Sequence, residues 1–116
     1  MTDEDTPDEA ADPPFTPEEF EAAKFTDLLA DVETAYRRAF DRVNGRYDRE
    51  LVHAVDQQIL DESEPRYDGG GSFSVDLPSD PLSRLRGVEA DEQAREVLDA
   101  YVAEIERQLA VVFDEE

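Results

Sequence analysis

Between Asp91 and Val112 the apolar residues Ala94, Leu98, Tyr101, Val102, Ile105, Leu109 and Val112 return at helical spacing. No other feature of the sequence constrains the fold as much. At ~100° per residue they share one face, and Arg95, Glu96, Asp99, Glu104 and Arg107 fall on the other. An isolated helix of this kind draws its stability from packing, so the stripe must be buried against a second helix. The stripe is wider than a coiled-coil seam, which predicts packing inside a globular domain. Asp91 stands where an N-cap belongs.

The second helix is visible upstream. Phe25, Leu28, Leu29, Val32, Tyr36, Ala39, Phe40 and Val43 form one apolar face, whereas Phe20 lies roughly 140° away on the same wheel. The chain therefore divides into a short helix at 17–24 and a long one at 26–43. The short helix has a strong start. Thr16 is the N-cap, Pro17 sits at N1, Glu19 completes a capping box, and Phe15 and Phe20 hold the staple positions. Asn44-Gly45 predicts a stop through a left-handed residue.

Asp48 can cap a middle helix carrying Leu51, Val52, Val55 and Ile59, although Leu51–Leu60 also suits a strand. Pro65-Arg66-Tyr67, the run Asp68-Gly69-Gly70-Gly71 and Ser72–Leu77 read as a β-hairpin with Phe73, Val75 and Leu77 on its buried face. Asp80 and Pro81 open a short helical turn that Gly87 ends. The expected fold is mainly α, of the α+β type: two long amphipathic helices, a middle helix and a β-hairpin. Residues 1–14 hold six acids and three prolines and read as a disordered acidic tail. Residues 15–116 read as a single small domain. The chain has no cysteine, so this core forms without disulfides or thiolate metal sites.

Charge defines the environment. Thirty-two acids against eleven cations give −21 over 116 residues, and only one cation, Lys24, is a lysine. Such a charge opposes compaction in dilute salt, but at molar salt the screening length falls to about 3 Å. Scattered acids and scarce lysine predict a cytoplasmic protein of a salt-in halophile. No secretory signal and no membrane span are read from the sequence.

Asn44–Asp48, Glu50–Gln58 and Glu62–Pro65 resemble the central block of a small haloarchaeal family of unknown function. The glycine-rich turn, Phe73, Leu77-Pro78, Arg84-Leu85 and the closing helix extend the resemblance over Glu18 to Phe113. It implies haloarchaeal cytoplasm and no assigned activity, so no functional residue is carried over.

Most catalytic chemistries fail on counting. His53 is the only histidine. Glu50-x-x-His53 would need a second copy to make a di-iron site, and the two-His and Cys/His metal sites fail for the same reason. No nucleophile elbow, P-loop or calcium loop is present. His53 fits a helix border, paired with Glu50 or Asp56. Glu33–Arg37 and Arg37–Asp41 have the spacing of helical ion pairs.

One segment runs against the acidic background. Arg37, Arg38, Arg42, Arg46 and Arg49 lie within thirteen residues, opposed only by Asp41 and Asp48. The expected binding site is Arg42, Arg46, Arg49 and His53, with no catalytic residue, metal or cofactor. The expected function is a non-enzymatic interaction or assembly module with a protein partner. The alternatives are an enzyme using His53 with nearby carboxylates, or a nucleic-acid-associated regulator using the arginines. Salt disfavours the last, because phosphate-driven affinity falls steeply as salt rises.

Overall fold

The structure, a computed structural model, describes residues 14–114. The tail predicted over 1–14 lies outside the described residues apart from Pro14. Helix α1 spans Pro17–Ala23, α2 Leu29–Asn44, α3 Arg49–Gln58 and α4 Glu92–Asp114. A hairpin of β1 (Glu64–Gly69) and β2 (Ser72–Asp76) separates α3 from α4. The architecture is mainly α with one antiparallel hairpin.

Local signals account for most of the element starts. The Thr16 hydroxyl accepts the Glu19 N–H at 3.1 Å and Glu19 accepts the Thr16 N–H at 2.8 Å, closing the capping box. Asp48 accepts the Leu51 N–H at 3.0 Å and caps a helix that starts at Arg49, so Leu51 lies in a helix rather than a strand. Asp91 accepts the Ala94 N–H at 3.1 Å to start α4. In the hairpin Tyr67 faces Phe73, and a bulge before Gly69 leads into glycines 69, 70 and 71, all at positive φ. That turn needs residues without a Cβ penalty.

Three expectations are corrected. The long helix does not start at residue 26. The Ala23 carbonyl accepts the N–H groups of Thr26 and Leu28 and the Thr26 hydroxyl, and this knot delays α2 to Leu29. Phe25 thereby leaves the apolar face and stands 55% exposed, while Lys24 turns inward. Gly45 is right-handed, at φ −82°, because the chain simply tightens, with Arg46 and Tyr47 both donating to the Val43 carbonyl. Asp80 is left-handed and its side chain caps nothing; its backbone carbonyl takes the Ser83 N–H and hydroxyl instead.

Helices α2 and α4 run antiparallel, with Arg42 beside Glu104 and Arg38 sharing a groove with Val111. Their interface buries Val32, Ala35, Ala39 and Val43 against the α4 stripe. Small residues on α2 let the larger α4 side chains fill the space between. At one end of α4, Phe15, Phe20, Tyr67, Phe73 and Phe113 pack ring to ring at centroid distances of 4.9–6.4 Å. A two-stranded hairpin is marginal alone; here this aromatic cluster holds it to the helices.

Candidate functional site

The α2–α4 seam opens on one side into a groove of about 390 Å³ lined by Arg38, Asp41, Arg42, Arg107, Gln108 and Val111. Beneath it lies Glu104, whose side chain is only 7% exposed. Burying a carboxylate costs several kcal/mol unless it is compensated. Gln108 donates to it at 2.7 Å. Arg42 Nε lies 3.6 Å from one oxygen and an Arg107 guanidinium nitrogen 3.8 Å from the other. These two separations are longer than charge-assisted hydrogen bonds of about 2.7–2.9 Å. The arginines are thus drawn toward Glu104 without being consumed by it, and their side chains remain 50% and 61% exposed. Val111, one of two large exposed hydrophobic residues among the described residues, adds an apolar contact to the groove. The arrangement suits a carboxylate that arrives with an apolar neighbour.

The four residues singled out in the sequence are divided by the fold. Arg42 lines this groove. His53 lines a different depression, with Glu50, Gln57, Gln58, Arg86 and Gly87. Its ring stands edge-on to Phe40 at 5.1 Å. Among the described residues it pairs with neither Glu50 nor Asp56; Asp56 accepts the Tyr101 hydroxyl at 2.7 Å instead. Arg46 follows α2 and Arg49 opens α3, both exposed and lining neither depression. Among the described residues Arg37 closes no ion pair with Glu33 or Asp41. Glu104 and Gln108 were not singled out. Gln108 sits seven residues after Tyr101, on the apolar stripe itself, and Glu104 one turn before it. Gln108 is the polar residue within the stripe and the available signal, whereas Glu104, expected on the polar face, is buried beside it.

Three other titratable groups are shifted. Burial, reinforced by the Asp56 hydrogen bond, pushes the Tyr101 phenol far above its ordinary range. Burial also raises the carboxyl of Glu106 and the phenol of Tyr36. Among the described residues no group of three or more His, Asp or Glu could hold a metal ion, and no helix is long and apolar enough to cross a membrane.

The fold defines a small, mainly helical domain with an arginine-lined groove between α2 and α4. The chain belongs to a family of unknown function, DUF5783, whose family model matches residues 11–116. No curated protein and no solved structure matches it.

Proposed function

We propose that this chain is a non-catalytic interaction module of a haloarchaeal cytoplasm, and that its α2–α4 groove receives an acidic segment of a protein partner. One observation supports the reading: in a chain of net charge −21, three arginines, Arg38, Arg42 and Arg107, against one acid, Asp41, line a single groove beside an exposed Val111. Arginine suits this role in high salt. Its planar fork contacts carboxylates bidentately, and direct contact persists where long-range attraction is screened. The sole lysine is buried, so the exposed cations among the described residues are all arginines. Scattered acids and the virtual absence of surface lysine support the halophilic setting.

The test is a nuclear magnetic resonance titration with the capped peptide acetyl-Glu-Glu-Leu-amide in about 2 M KCl. We expect saturable binding that Arg42→Gln with Arg107→Gln abolishes and Arg46→Gln with Arg49→Gln leaves intact. Equal loss in both variants would leave the groove without a special role. For the setting, circular dichroism from about 0.1 to about 3 M KCl should show the melting temperature rising as repulsion is screened. A flat profile would contradict the halophilic assignment.

A further inference from the structure

The chain's only lysine and its neighbour exchange places. Lys24 is 2% exposed, and Phe25 is 55% exposed. The Lys24 ammonium donates to the Pro65 carbonyl and to Glu21, both at 3.0 Å, lies 3.7 Å from Glu64, and sits 5.3 Å from the Phe25 ring centroid. Its charge is therefore matched, and it fixes the corner that holds the ring outward.

Phe25 stands on the rim of a groove of about 290 Å³ that also includes Glu33, Tyr36, Asp56, Asp61 and Ser63, and no basic residue lines it. The polar groups of this groove are already oriented. The Ser63 hydroxyl gives its single proton to the Leu60 carbonyl at 2.6 Å, so Tyr36 donates to Ser63 at 3.0 Å. Asp56 is half-buried, and one of its oxygens accepts the hydroxyl of fully buried Tyr101. Its other oxygen has no protein partner among the described residues. An oriented, half-desolvated carboxylate next to two aromatic rings is a receptor for a flat cation. Arginine fits better than lysine, because a guanidinium both stacks on rings and forks onto a carboxylate.

We propose that the groove between Phe25, Tyr36 and Asp56 is a second docking surface, which takes an exposed arginine side chain of a partner protein. It is separate from the arginine-lined groove and of opposite charge. The probe is capped arginine, acetyl-arginine-methylamide, with the uncharged isostere acetyl-citrulline-methylamide as control, followed by amide resonances in about 2 M KCl. Capped arginine should shift Phe25, Tyr36, Asp56 and Ser63 in a saturable way, and citrulline should not. Phe25→Ala, at an exposed position that leaves the core intact, should weaken binding roughly fivefold, and Asp61→Asn should weaken it less. Equal response to citrulline, shifts spread over the acidic surface, or unchanged binding in Phe25→Ala would overturn the proposal. So would dimerisation in sedimentation experiments that Phe25→Ala abolishes, since the groove would then be filled by a second copy.

Discussion

Toward α4, helix α2 keeps arginines outside around a buried glutamate; toward the hairpin, the chain keeps a lysine inside beneath an exposed phenylalanine. Both regions bury an ion, but they compensate it differently. Lys24 makes two hydrogen bonds at 3.0 Å, one of them to a backbone carbonyl 41 residues away. Glu104 has one short bond, from Gln108, and two looser ion pairs. The lysine thus ties two elements together, whereas the glutamate mainly gathers side chains that stay in solvent. A buried charge can serve architecture or presentation, and the length of its contacts tells which.

The largest effect should come from Lys24→Ala. It leaves the buried Pro65 carbonyl without its donor and unties α1 from β1, and we expect a loss of about 2–4 kcal/mol in denaturant unfolding at high salt. Glu21 and Glu64 are half exposed and return to water, so little of the loss comes from them. If Lys24→Ala were neutral, the contrast with Glu104 would disappear.

Tyr101→Phe should cost about 1–2 kcal/mol, because Asp56 loses its buried donor. It also has a pH signature. The folded state holds the Tyr101 proton well above the value of 10.0 for an exposed tyrosine. Once the unfolded chain begins to lose that proton, rising pH favours unfolding. The wild type should therefore lose stability above about pH 10, and the Phe variant should lose less over that range. Identical alkaline limbs would show that Tyr101 does not contribute.

Glu104→Gln should change stability by less than about 1 kcal/mol. The carboxylate's desolvation cost is removed together with its pairs, and Gln108 retains an oxygen acceptor. The arginines should nonetheless lose their common orientation. Phe25→Ala should be smaller still, within about 0.5 kcal/mol, as for most surface changes. A large loss there would place Phe25 in the core after all.

The parts of the fold legible in the sequence are those with local causes. Thr16, Asp48 and Asp91 cap because their side chains reach their own helix. The α4 stripe and the hairpin follow from period and glycine. The break between α1 and α2 is legible in the wheel angle of Phe20, but the inversion of Lys24 and Phe25 at that corner is not, because it depends on Lys24 meeting Pro65 across the fold. The same holds for the candidate site. Charge density points to Arg42, but the groups beside it, Glu104, Arg107 and Gln108, come from α4, which only tertiary packing brings alongside. His53 lies toward Phe40, on a different side of α2, and sequence proximity alone had joined it to Arg42.

The most direct measurement follows the side-chain Nε–H resonances of Arg42, Arg46, Arg49 and Arg107 during addition of acetyl-Glu-Glu-Leu-amide in about 2 M KCl, in the wild type and in Glu104→Gln. The account predicts saturable movement at Arg42 and Arg107 with Arg46 and Arg49 still. In the variant it predicts roughly fivefold or weaker binding at an unchanged melting temperature, which is about 1 kcal/mol of lost organisation. Four arginines responding alike, or a variant that binds as tightly as the wild type, would contradict it.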